Sequence, residues 1–479
     1  MRATVSSART APSNSSESSQ LCQGIGCPAG LLYLLGSGSG WLMVALVLGF
    51  LNSLRFHAPT LLANCSYLTY GRVHAAQSSS LLYGFAAQAA LGVGLWLLCR
   101  LGRTQLAGSF VVFLGALIWN TAVTIGVIAI LCGDTTGFEA FEMPAICAPM
   151  LFVAFLMIGI CGLLTFHQRE DGPVYPSQWF VVGSLFWFPW VFSTAAILLL
   201  YMPVRGALQA SIAWWYAHNL NWVFLGFAGL ASSFYFVPKL LNRPLHSRQF
   251  AALAFWTLAL FGAWGGIPDG APLPSWMASL GVVGTVLTIV PMIALAMTFY
   301  QTTRNGLNML DSNMTLRFIY YGLLFFFICA AQQIVGVMPQ VSAITSLSWF
   351  GVAQKELFVL GFFGFTVFGA IYYILPRLLT IDADTWCPHL TKAHFGLSLA
   401  GLLISYLSLL TGGIGQGMML ADSSHSFIDT MNGSLMALRM STLGDLLFLA
   451  GTAVFLVNFA RVVGSWCCQC CLATRKEAK

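Results

Sequence analysis

Twelve stretches of this chain are apolar over enough residues to cross a bilayer, and no other feature restricts its fold as tightly. They lie near 31–54, 78–99, 108–132, 146–166, 177–202, 213–238, 249–267, 276–300, 315–338, 348–376, 393–418 and 436–463. A hydrocarbon core of roughly 30 Å needs about 20 residues of helix. Lipid offers no water to backbone amides, so long apolar spans satisfy those groups internally, as helices. Only 8% of the residues are charged, against about 25% in an ordinary soluble domain. The mean hydropathy of +0.80 agrees. The fold class expected is an all-α, polytopic membrane protein of twelve transmembrane helices.

Basic residues set the expected orientation. Lys and Arg concentrate on cytoplasmic loops. Sixteen of them, from Arg2 and Arg9 through Lys239, Arg243 and Arg248 to Lys479, fall on the side that holds both termini. Four, Arg55, Arg72, Arg205 and Arg439, fall on the other, and Lys355 lies inside a span. This asymmetry supports an even span count and cytoplasmic termini. The organisation read from it is a disordered cytoplasmic tail (1–28), a twelve-helix domain (29–465) and a Cys-rich basic cytoplasmic tail (466–479). The net charge of +6 includes no Lys/Arg run of the kind that binds nucleic acid.

Most of the 13 cysteines stand singly in apolar runs, where they read as small buried residues. Cys22 and Cys27 form a pair before the first span. Cys467, Cys468, Cys470 and Cys471 cluster after the last, where they can bind metal or carry a fatty acyl group. No His or second pair completes a zinc spacing.

Ionisable groups within spans are costly and default to functional candidates. One candidate is His218, in Trp214-Trp215-Tyr216-Ala217-His218-Asn219. It is either a metal ligand or an interfacial histidine among aromatic anchors. A second is Gln354-Lys355-Glu356. Gln354 and Glu356 point about 200° apart on a helix, toward different neighbours. Lys355 either offsets the burial of Glu356 or reaches out to water. A third is Arg72-Val73-His74, read as headgroup-level. No triad, phosphate loop or catalytic carboxylate pair is present.

Several of these stretches together resemble the catalytic subunit (subunit I) of the C-type haem-copper oxidases, the bacterial cytochrome c oxidases with b-type haems. They are Leu68-Thr69-Tyr70-Gly71-Arg72, the Trp214–Asn219 run, Phe236-Val237-Pro238-Lys239, Leu375-Pro376-Arg377, His394-Phe395 and Gly415-Gln416-Gly417. The resemblance covers about 50–465. It implies a twelve-helix respiratory-chain subunit of the bacterial inner membrane, carrying haem b and copper and assembled with other membrane or respiratory-complex subunits.

The resemblance also locates the family's six metal-ligand histidines and its tyrosine. The low-spin haem ligand of the second span falls on Gln77, with His74 one turn earlier. The first copper ligand is kept as His218. The two further copper histidines fall on Pro268 and Asp269, and the tyrosine on Gly262. The His-x-His of the tenth span, which serves the high-spin and low-spin haems, falls on Gln354 and Glu356. Amide and carboxylate are poor replacements for the imidazole or thioether donors a low-spin haem takes. One imidazole holds copper weakly.

The chain is therefore expected to be a non-catalytic, ligand-depleted paralogue (a pseudoenzyme) without cofactors of its own. Two alternatives stand beside that reading: an active haem-binding terminal oxidase subunit with unusual ligands such as His74, and an ion or small-molecule transporter. Without haem, the space between Gln77 and Glu356 is expected to close, or to fill with water or lipid. His218 is expected near Gln354.

Overall fold

The computed structural model describes residues 29–268 and 271–477. The expected tail at 1–28, with Cys22 and Cys27, lies outside the described residues, as does Asp269.

Each apolar stretch folds into a helix. In chain order they are α1 (Ala29–Leu54), α2 (Tyr70–Gly102), α3 (Ser109–Cys132), α4 (Cys147–His167), α5 (Pro176–Tyr201), α6 (Ala207–Leu240), α7 (Arg248–Gly262), α8 (Ser275–Thr303), α9 (Met314–Gly336), α10 (Trp349–Leu378), α11 (Pro388–Ala421) and α12 (Phe427–Glu477). No strand occurs among the described residues. Eleven of these helices are long and apolar enough to span a membrane.

The remaining helix, α7, is the short one. α7 has 15 residues, or about 22 Å at roughly 1.5 Å per residue. Gly265 and Gly266, the latter at φ +100, and Pro268 turn the chain away soon after its end. A second difference is at the C-terminus. α12 continues to Glu477, so residues 466–477 extend the last helix, with no proline in that stretch to stop it.

Three helices form the interior. In their most apolar stretches, 94% of α2, 89% of α6 and 94% of α10 is buried, against 33–50% in the other eight spans. The outer helices expose large apolar side chains such as Phe110, Ile128, Phe186 and Trp256, as lipid-facing helices do. Small residues allow close approach where the outer helices meet. A Cβ on Gly401 would lie 2.5 Å from the Phe448 amide nitrogen, and one on Gly444 would lie 2.5 Å from that of Ser405. These glycines seal α11 against α12.

The interior helices are also the irregular ones. π-helical turns occupy Ser80–Ala86 in α2, Asn219–Leu225 in α6 and Leu357–Gly364 in α10. Each follows within three residues of Gln77, His218 or Glu356. Such widened turns re-aim side chains and recur at functional sites. A fourth, Ile197–Tyr201, ends α5.

Candidate functional site

The candidate residues divide between two places. The first is a cavity of about 210 Å³ between α2 and α10, walled also by α1, α11, α12 and the α3–α4 loop. Gln77 and Glu356 both line it, so the two positions face a common space. Closure of that space is not what happens. Gln77 lies flat on α1, where a Cβ on Gly49 would come within 2.8 Å of its amide nitrogen. His74 borders the same cavity and stacks on Tyr70.

The rim is charged. Lys355 forms an ion pair with Glu139 of the α3–α4 loop, and both side chains are about half exposed. This settles the Lys355 alternatives: it neutralises a loop carboxylate, while Glu356 turns inward. The Ser405 hydroxyl lies 2.9 Å from Glu356 Oε2 and 3.3 Å from Asp445 Oδ1, linking two carboxyl groups of α10 and α12 through α11. Glu142, in the loop, accepts from the Ser79 hydroxyl at 3.2 Å and the Ala140 amide at 3.1 Å. Burial pushes its carboxyl above the ordinary value, and those hydrogen bonds oppose the shift.

Two polar atoms at this cavity have no partner: Asn52 Nδ2 on α1 and Asn221 Oδ1 on α6. Asp445, Ser405, Asn52 and Glu142 were not among the sequence candidates. Asp445 did leave a signal, because it is an acid in the middle of the last apolar stretch. Nothing marked the other three in advance.

The second place surrounds His218 and differs in kind. His218 Nε2 lies 2.9 Å from the Gly262 carbonyl. A carbonyl only accepts, so Nε2 carries the proton and donates it. Glycine makes this contact possible: a Cβ on Gly265 would lie 2.4 Å from Nε2, and one on Gly266 would lie 2.4 Å from the His218 Cβ. The space beside the ring measures about 10 Å³, at most room for one water.

Gln354 donates to Gln333 Oε1 at 2.6 Å. It borders a separate cavity of about 220 Å³ with Pro268 and Gly266. His218 and Gln354 line two separate cavities whose walls share Thr285 and Gln333. Among the described residues, no three His, Cys, Asp or Glu side chains converge as a metal-binding group.

The chain matches the model of a protein family, cytochrome C and quinol oxidase polypeptide I, over residues 29–447. It is 23% identical over 445 residues to a cytochrome c oxidase subunit 1 homolog of Azorhizobium caulinodans, covering 87% of this chain and 79% of that protein. It is 23% identical to a Cbb3-type cytochrome c oxidase subunit of Stutzerimonas stutzeri, covering 88% of this chain and 92% of the relative. A solved haem-copper terminal oxidase dimer matches its fold with a TM-score of 0.69 at 12% identity, over 91% of this chain and 84% of that one.

Proposed function

The chain belongs to the cytochrome C and quinol oxidase polypeptide I family, and from that premise we propose that it is a non-catalytic, ligand-depleted paralogue of the oxidase catalytic subunit. It works as a structural or assembly member of a respiratory or other membrane complex, in a bacterial inner membrane with both termini cytoplasmic.

The donor chemistry carries this reading. At the position that would hold copper, the one imidazole gives its Nε2 proton to a backbone carbonyl and lies against Gly265 and Gly266. Pro268 has no donor side chain, and at the high-spin haem position Gln354 is committed to Gln333. Copper normally takes several nitrogen donors, so the residues present do not fit it. At the low-spin haem position, the facing groups are the amide of Gln77 and the carboxyl of Glu356, and the latter accepts from Ser405. Neither is a strong axial donor to iron, so this pair does not fit a low-spin haem.

The test is a haem spectrum with iron and copper analysis on the full-length protein, purified with its native partners. Substoichiometric iron and copper are expected. Two b haems and a copper ion in this subunit would overturn the reading. A second reading keeps one haem in the α2–α10 cavity through His74, which borders it. It predicts a Soret band that His74→Ala removes.

A further inference from the structure

The α2–α10 cavity is an apolar chamber with an acidic end. Its walls include Phe50, Phe56 and Trp349. At one place Glu356 and Asp445 share the Ser405 hydroxyl, and Glu139 and Glu142 also border the space. Among the described residues, the only Lys or Arg lining it is Lys355, already paired with Glu139. Two partly buried carboxyl groups this close together hold negative charge at lower cost when a cation or proton compensates it.

Independent of the acids, Asn52 points to a ligand. It is 5% exposed, and its Nδ2 has no partner. Its Oδ1 accepts from Arg55 at 3.3 Å, so the unpaired atom is a donor. A buried unpaired donor costs about 1–3 kcal/mol, and an acceptor atom on a ligand relieves that cost. Asn221 Oδ1, also unpartnered, offers an acceptor for a ligand N–H. Ligand sites are commonly apolar pockets with a few convergent polar groups, and aromatic walls favour a cation.

We propose that this cavity binds a lipophilic amine bearing a hydroxyl group. The ammonium lies at Glu356 and Asp445, the apolar body lies against Phe50, Phe56 and Trp349, and the hydroxyl oxygen accepts from Asn52. An anionic amphiphile is rejected by the carboxylates. A neutral one leaves their charge to be compensated by protons alone.

The experiment uses full-length protein in lipid nanodiscs near neutral pH and follows thermal unfolding with aminododecanol, dodecylamine, dodecanol and dodecanoate. Aminododecanol is expected to raise the unfolding temperature saturably, dodecylamine more weakly, and the other two not at all. Glu356→Gln and Asp445→Asn are each expected to weaken apparent affinity by roughly tenfold, as a lost charge-assisted bond does. Asn52→Leu, which leaves both carboxylates in place, is expected to erase the advantage of aminododecanol over dodecylamine.

Equal shifts with all four headgroups, no saturable shift with either amine, or unchanged binding in both carboxylate variants would each overturn the proposal. Stability that follows pH but not amine would leave proton binding alone and also overturn it. Haem found in this cavity would overturn both this proposal and the non-catalytic reading. Failure of amine binding without haem leaves that reading standing.

Discussion

The two regions where the family resemblance places metal ligands are surrounded by the fold in different ways. Around His218 the polar groups have found partners inside the protein, and the backbone of Gly265 and Gly266 occupies the space beside the imidazole. Around Gln77 and Glu356 the space remains, acids face it, and two amide atoms stay unpaired. The difference lies in what surrounds each position. His218 is met by a loop of small residues that can close on it. Gln77 and Glu356 stand on separate rigid helices whose distance is fixed by packing elsewhere, and a side-chain change cannot draw such helices together. The glycine backbone thus encloses the His218 ring itself, while cavities of about 220 Å³ beside Gln354 and about 210 Å³ between Gln77 and Glu356 stay open.

The strongest test of that contrast restores donors. Gln77→His combined with Glu356→His is expected to give a low-spin haem spectrum approaching one haem per chain, because the cavity persists. Pro268→His with Gly262→Tyr is expected to leave copper near background, because His218 is enclosed. Visible spectra and metal analysis of the two double variants decide it, and equal gains at both places would end the comparison.

Glycine substitutions sharpen it next. Gly266→Ala places a Cβ 2.8 Å from the Trp214 carbonyl at φ +100. It is expected to destabilise by about 3 kcal/mol, from overlap plus left-handed backbone strain. Gly49→Ala meets only the movable end of Gln77, beside a cavity that can receive it. Its expected cost is below about 1 kcal/mol. Equilibrium unfolding in mixed micelles measures both.

His218→Ala removes a hydrogen bond within the membrane, and about 1–2 kcal/mol is the expected loss. The smallest effect concerns pH. Burial raises the Glu142 carboxyl above its ordinary value of 4.5. The folded state thus holds this proton more tightly than the unfolded chain does. The stability it contributes is full below 4.5 and is lost as pH rises through the raised folded value. Glu142→Gln is expected to flatten that decline, read as unfolding temperature against pH.

Much of the architecture was legible because lipid makes composition decisive. Apolar length gave the helices, and the motif around His218 placed it on α6, one of the three interior spans. The site was less legible. Gln77, Gln354 and Glu356 were locatable by alignment of motifs, but their partners were not. Asn52 on α1 and Ser405 on α11 are ordinary small polar residues in apolar runs, and nothing local distinguishes them from helix-packing residues. Asp445 is visible in the sequence as an intramembrane acid. α7 ends before its apolar run does, because the backbone turns away at Gly265-Gly266.

From the sequence alone came the solvent, the helical class and the expectation that imidazole is missing at five of six family positions, since each depends on side-chain chemistry read one position at a time. Only tertiary structure decided that Glu356 meets Asp445 across Ser405, that His218 gives its proton to Gly262, and that cavities persist between Gln77 and Glu356 and beside Gln354. Those outcomes depend on distances between helices remote in the chain, which packing fixes and local sequence does not encode.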